Sequence, residues 1–198
     1  FDYPTYLFGE VHFEIDEQGH PYWICPREAR TIGLFGGRDI VGAVILDAVT
    51  GESKYYAAGE IPSWVDQIYN AELIIEQYDY YGLYQKGFIN SIIGQKNVTV
   101  TTDGYNYIAM GDDVYVYTGI TSVGGDESNI GFILVNQRTK EARYYAIPGA
   151  TEYSAMGSAQ GAVQQFKYTS TFPLLLNIEG QPTYFMAMKD AAQLVKKY

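Results

Sequence analysis

This 198-residue chain has one cysteine, two histidines and fewer basic than acidic side chains, and each shortage closes off a class of chemistry. With Cys25 alone, an intrachain disulfide and a thiolate zinc cluster are both excluded. His12 and His20 do not form a His-x-x-x-His pair, so the usual zinc hydrolase arrangement is missing. Thirteen Lys and Arg against 23 Asp and Glu give a formal net charge of −10, which opposes the counterion release by which proteins hold polyanions. Nucleic acid is therefore not an expected partner, and an anionic membrane surface would need a local basic patch. No apolar run reaches the roughly 18 to 20 residues of a membrane helix, so no direct membrane insertion of this stretch is expected. The glycine pairs Gly36-Gly37 and Gly124-Gly125 lack the Gly-x-x-x-x-Gly-Lys pattern and read as turns, and no cofactor is expected.

Tyrosine is what the chain has in excess, with 20 residues. Each buries a ring while its hydroxyl seeks water or a partner, which suits half-exposed sheets and contact surfaces. The most informative stretch is Val41–Ala57, which returns as Ile130–Ala146 without a gap. Gly42, Thr50, Glu52, Tyr55, Tyr56 and Ala57 meet the same residue types there. Each copy reads as a buried strand, a turn and a return strand ending in paired tyrosines, and together they predict an internal repeat. Asp47 or Asn136 starts the turn through its side chain, and Gly51 supplies free dihedrals where the second copy has Lys140. One tyrosine of each pair is expected to point inward.

Around these hairpins the chain alternates between strand and helix vocabulary. Val11–Asp16 and Pro21–Ile24 read as a hairpin, with the apolar side chains of the alternation facing the core. Pro26–Arg30 reads as one helical turn and Gly33–Asp39 as a loop. Pro62–Tyr69 reads as a short helix, Ala71 to Tyr81 as a longer one, and Leu83–Ile93 as a further helix or an aromatic loop. Strands follow at 98–102, 105–109 and 113–120. Thr151 caps a helix with Tyr153, Met156, Ala159, Val163 and Phe166 inward, a last hairpin spans 172–188, and Asp190–Lys197 starts a terminal helix. Strands in consecutive groups point to an antiparallel α+β class, with helices packed on sheets. Residues 1–77 form a first module, 78–97 a helical or aromatic connector and 98–198 a second module.

The run Val44-Ile45-Leu46-Asp47-Ala48-Val49-Thr50-Gly51-Glu52 resembles the strand-turn signature of PepSY-like modules, with Asp47, Thr50 and Gly51 at the family's turn positions. The second copy keeps Thr139 and substitutes Asn136 and Lys140. The resemblance implies two related PepSY-like modules, each a helix on an antiparallel sheet, in an extracytoplasmic or cell-surface part of a larger bacterial protein tethered through segments outside this sequence. The start at Phe1 without Met fits such a piece. Family members are implied to be noncatalytic, some inhibiting or chaperoning peptidases.

Three candidate sites follow. Tyr78, Asp79, Tyr80, Tyr81 and Tyr84 are positioned to line a groove for peptide or sugar, with Asp79 as the polar fixer. Asp103, Asp112, Asp113 and Asp126 place oxygen ligands in loops, which makes calcium the metal to consider, although the spacing of a twelve-residue calcium loop is absent. Glu14 and Asp16 stand two apart and are the carboxylates to test for a carboxylate-dependent hydrolase. Cys25 ends an apolar strand and reads as a packing residue. The function these readings favour is a noncatalytic structural or protein-interaction domain, with a peptide-binding or peptidase-inhibitory module and the hydrolase as alternatives.

Overall fold

The apolar run Ile40–Ile45 forms the centre of the first sheet, as a stretch buried on both faces should. The computed structural model describes residues 2–32, 36–124 and 128–198, without the side chain of Ile32. They are mostly β, 44% strand against 19% helix, with several antiparallel sheets and three α-helices. This overturns the expected α+β class with packed helices. Contacts divide the chain into two units. Unit one holds Phe1–Gln77, Ala109–Tyr115 and Asn136–Glu141, and unit two holds Tyr78–Ile108, Val116–Val135 and Ala142–Tyr198.

Unit one is built on β1 (Leu7–Phe8), β2 (His12–Ile15), β3 (Pro21–Ile32), β4 (Gly36–Asp47) and β5 (Ser53–Ala57). The antiparallel order is β1-β3-β4-β5, with β2 also on β3. The helical turn expected at Pro26–Arg30 does not form. Pairing with β4 runs from Tyr22↔Asp47 to Ile32↔Gly36, and a register shift at Arg27/Glu28 takes up the irregularity. Gly36–Asp39 are strand for the same reason, and Gly33–Phe35 lie outside the described residues. In β2 the expected alternation is inverted. Phe13 and Ile15 are exposed, Phe13 lies edge-on to Trp23 at 5.4 Å, and His12 and Glu14 take the covered face.

Glu14 explains both this inversion and the loss of the expected helix at Pro62–Tyr69. Its carboxylate accepts the amides of Asp66 (2.9 Å) and Gln67 (3.1 Å), while the Gln137 carbonyl accepts those of Ile68 (2.9 Å) and Tyr69 (2.8 Å). Amides held by distant partners cannot also close helical turns. Helix α1 (Ala71–Tyr84) starts where Asn70 Oδ1 accepts the Leu73 amide at 2.9 Å, and buries Ala71, Leu73 and Ile74 in unit one.

The rest of the chain adds α2 (Phe88–Ile92), β6 (Thr99–Thr101), β7 (Asn106–Met110), β8 (Asp113–Ser122), β9 (Ser128–Asn136), β10 (Ala142–Tyr145) and β11 (Gly149–Ala150). Their sheet order is β10-β9-β8-β6, with β11 on β9 and β7 on β8. Helix α3 (Glu152–Ala162) is capped by Thr151, whose Oγ1 accepts the Ser154 amide at 3.2 Å. Tyr153 and Phe166 are exposed rather than inward. The helix buries Glu152, and Val163 is covered just beyond its end.

Strands β12 (Thr169–Ser170), β15 (Met188–Lys189) and β16 (Val195–Lys197) make a three-stranded sheet, and β13 (Leu174–Ile178) pairs with β14 (Gln181–Phe185). Glu179 and Gly180, at φ 52° and 83°, join β13 to β14 in a type I′ manner. β16 stands where a terminal helix was expected. Asp190 takes the Ala192 and Leu194 amides into a turn, and Gln193 sits at φ 62°, which no helix accommodates.

The hairpins β4–β5 and β9–β10 share one register: Ala43↔Tyr56 and Val44↔Tyr55 in the first, Phe132↔Tyr145 and Ile133↔Tyr144 in the second. Asp47 Oδ1 accepts the Val49 and Thr50 amides at 2.7 and 2.9 Å, and Asn136 Oδ1 accepts those of Arg138 and Thr139 at 2.8 and 2.9 Å. Thr50 and Thr139 each accept the second following amide at 3.3 Å. Gly51 and Lys140 hold the same left-handed position, at φ 77° and 62°. The Tyr55 hydroxyl donates to the Val41 carbonyl at 3.1 Å and Tyr144 to that of Ile130 at 3.2 Å. The expectation of one inward tyrosine per pair fails in both hairpins: Tyr55 and Tyr56 are both half-buried, and Tyr144 and Tyr145 are both exposed.

A left-handed lysine costs about 1 kcal/mol relative to glycine. Lys140 gains in return a bidentate ion pair, its Nζ 2.7 Å from each Asp39 oxygen. Partial burial pushes the Asp39 carboxyl up, but bonds from Lys140 and Gln77 outweigh it and hold it below the usual range. A depressed carboxyl contributes stability that is present above its unfolded pKa and lost as pH falls through its folded one. Lys140→Ala should raise the Asp39 titration followed by NMR and reduce stability at neutral pH by about 1 kcal/mol, the value of a screened pair. An unmoved Asp39 titration would show that the pair does not form.

Candidate functional site

Three segments of unit one, with Arg138 beside them, converge on an open groove of about 640 Å³. The β2–β3 turn brings Ile15, Asp16 and Glu17. The loop before α1 brings Ser63, Trp64 and Asp66, and the β7–β8 connection brings Gly111, Asp112 and Asp113. Each segment is fixed by local chemistry. Asp16 Oδ1 accepts the Gln18 and His20 amides at 2.9 and 2.8 Å, and Gly19 turns at φ 85°. Trp64 lies on Tyr22 with ring centres 4.9 Å apart, and Val65 beside it is fully buried. Gly111 at φ 64° opens a two-residue hairpin connection, in keeping with a type II′ turn.

The electrostatics are one-sided. Arg138 is the single cation among the described residues of the lining and is committed to Asp113, with Nε 2.8 Å from Oδ1 and a second bond from the same guanidinium. Asp16, Glu17, Asp66 and Asp112 remain without a lysine or arginine partner among the described residues. Burial pushes the Asp66 carboxyl up, and the nearby Glu14, Asp113 and Asp112 carboxylates add to this against the opposing Arg138. At Asp16 burial also acts upward, but the turn amides and the His20 ring outweigh it and hold the carboxyl low. Asp16, like Asp47, is held in its own turn, whereas Glu17, Asp66 and Asp112 have no ion-pair partner among the described residues, and an aromatic wall beside them can accept a cation on the ring face and at the oxygens together. A second open hollow of about 540 Å³ carries Asp2, Asp47, Glu52 and Lys54, but Asp47 is spent in its turn and Asp2 accepts from Ser53 at 3.0 Å.

No protein-family model, curated protein or solved structure matches this chain. The geometry of the groove therefore carries the functional argument.

Of the residues singled out from sequence, Asp112 and Asp113 lie in this groove and Asp103 lies in unit two. Asp126 lies outside the described residues. Among the described residues no three His, Cys, Asp or Glu are grouped to hold a metal ion. Asp16 reaches the groove, while Glu14 stands behind it as a clamp, its Oε1 2.9 Å from His12 Nε2. Burial pushes the Cys25 thiol up, which suits a packing role.

The tyrosine stretch separates by role. Tyr78 is half-buried, and Asp79 is committed to β6, accepting the Thr101 amide at 2.8 Å and its hydroxyl at 3.3 Å. Tyr80, Tyr81 and Tyr84 stay exposed. The turn residues Asp47, Thr50, Gly51, Asn136, Thr139 and Lys140 all serve the hairpins described above. Trp64, Asp66, Glu17 and Arg138 are site residues that sequence reasoning missed. Pro62-Ser63-Trp64-Val65-Asp66 has the composition of a helix start, and nothing local signals the 52-residue reach of Glu14 to the Asp66 amide.

Proposed function

We propose that this chain is a noncatalytic interaction domain whose acidic groove receives a lysine- or arginine-bearing segment of a protein partner. The observation that carries this reading is the convergence of Glu17, Asp66 and Asp112 around Trp64, beside an Asp16 held in its turn, with Arg138, the only cation among the described residues of the lining, already paired to Asp113. A cationic side chain entering the groove relieves the mutual repulsion of these carboxylates and covers the Trp64 ring. The net charge of −10 steers such a partner at long range, so association falls with added salt. An extracytoplasmic setting within a larger bacterial protein is part of the proposal and is supported by the PepSY-like turn at Val44–Glu52.

The test uses Trp64 emission in a Trp23→Phe background, titrated with a lysine-rich peptide and a neutral control of equal length. Saturable, salt-sensitive binding is expected, reduced roughly tenfold by Asp66→Asn with Asp112→Asn. The first substitution should also raise the melting temperature at neutral pH. A carboxyl whose folded pKa is raised contributes stability below its unfolded pKa that is lost as pH rises through the folded one. Stronger folding with weaker binding distinguishes a ligand site from a structural cluster. Equal response to both peptides, or binding untouched by the double substitution, would overturn the proposal.

One observation favours a second reading. A raised Asp66 beside Asp112 is the pattern of an acid paired with a carboxylate, as a hydrolase requires. Hydrolysis of a peptide or glycoside that disappears in Asp66→Asn would support that reading instead.

A further inference from the structure

Unit two carries a surface of different character. Residues 80–102 contain Lys86 and Lys96 and no acidic side chain, inside a chain of net charge −10. Gly87 and Gly94, both at φ 90°, bound the short helix α2 and its last flanking residue. Between them Phe88, Ile89, Ile92 and Ile93 are 67%, 75%, 63% and 72% exposed. Tyr84 stacks on Phe88 with ring centres 6.2 Å apart, and Tyr80 stacks on Tyr84 at 6.4 Å, so an aromatic series leads into the aliphatic tip. Neither lysine pairs with a carboxylate among the described residues.

We propose that this segment docks on an anionic lipid surface. Large aliphatic and aromatic side chains left in water favour transfer to an apolar phase. Tyrosines beside them match the residues that sit at the headgroup level, and lysines at either end reach anionic headgroups. A protein groove of the usual kind reads a helix through anchors spaced over two or more turns. Here the helix is five residues long and the apolar side chains continue past its end, which suits a fluid surface better than a shaped one. The acidic groove in unit one takes no part in this contact, so the two proposals stand or fall separately.

The full chain is sedimented with phosphatidylcholine vesicles and with the same vesicles containing phosphatidylglycerol. Binding to the anionic vesicles is expected, with Ile89→Glu/Ile92→Glu weakening it roughly tenfold or more and Lys86→Glu/Lys96→Glu abolishing the preference for phosphatidylglycerol. Both double variants should melt as the parent does, since every changed side chain is exposed. Absence of the chain from both vesicle pellets, or undiminished binding by Ile89→Glu/Ile92→Glu, overturns the proposal. So does a concentration-dependent dimer, seen by sedimentation velocity without vesicle binding and removed by the same two substitutions, which assigns the patch to a second copy of the chain.

Discussion

Glu152→Ala is expected to destabilise unit two by roughly 3 to 5 kcal/mol, the largest single-residue effect in the molecule. The Glu152 side chain is 0% exposed, and its Oε1 accepts from the Tyr117 hydroxyl at 3.0 Å and from Asn129 Nδ2 at 2.9 Å. The same amide reaches the Tyr184 hydroxyl at 3.2 Å, which in turn donates to the Ala150 carbonyl at 2.7 Å. Burial and the adjacent carboxylate push the Tyr184 hydroxyl up to about 12 and the Tyr117 hydroxyl further still, so both remain donors across the working pH range.

Alanine at position 152 leaves two buried donors without an acceptor, at about 1–3 kcal/mol each, and adds an empty volume. Glu152→Gln keeps one acceptor oxygen for the Tyr117 and Asn129 donors and replaces Oε2, a buried atom without a hydrogen-bond partner. Its loss should be less than about half that of alanine. Urea unfolding followed by tyrosine circular dichroism is the appropriate readout, because Trp23 and Trp64 both lie in unit one. Equal losses for the two variants would show that Glu152 fills space and organises no hydrogen bonds.

The second large effect concerns the matched hairpins. Glycine to alanine inside an ordinary strand stabilises by about 0.5–1 kcal/mol through the unfolded chain. At Gly42 and Gly131 the sign should reverse. A Cβ at Gly42 would overlap the Tyr56 carbonyl oxygen and the Tyr55 ring, and one at Gly131 would overlap the Tyr145 carbonyl oxygen and the Tyr144 ring. The rings can swing aside only by giving up the hydroxyl bonds to Val41 and Ile130, and the carbonyls belong to the paired strands. Each substitution should therefore lose roughly 3 kcal/mol, at the upper end of overpacking. Gly51→Ala, in open space at a left-handed φ, should lose about 1 kcal/mol. Melting curves of the three variants give the comparison, and a neutral Gly131→Ala would break the equivalence of the two hairpins.

These hairpins were legible because their information is local. Asp47 or Asn136, then Thr, then Glu within six residues define the turn, and the paired tyrosines define the return strand. The α+β expectation failed where local pattern and distant partner disagree. Pro62–Tyr69 has helical composition but surrenders its amides to Glu14 and Gln137, and Asp190–Lys197 becomes a turn and a strand because Asp190 captures two amides. In β2 the alternation is present in the sequence but faces the other way in the fold, since hydrophobicity alone does not reveal that Glu14 binds the Asp66 and Gln67 amides on the covered face. Asp16, Asp112 and Asp113 were visible as carboxylates. Their meeting with Asp66 and Trp64 depends on pairings across the chain that no local window contains.

The claim on which the functional account rests is that the acidic groove of unit one is the ligand site, and amide chemical shifts during titration with a lysine-rich peptide test it residue by residue. The account predicts saturable shifts at residues 16–18, 64–67 and 111–114 and at Arg138, with the Trp64 indole among the largest. Shifts confined to other surfaces, or none at peptide concentrations that shift no control protein, would contradict it.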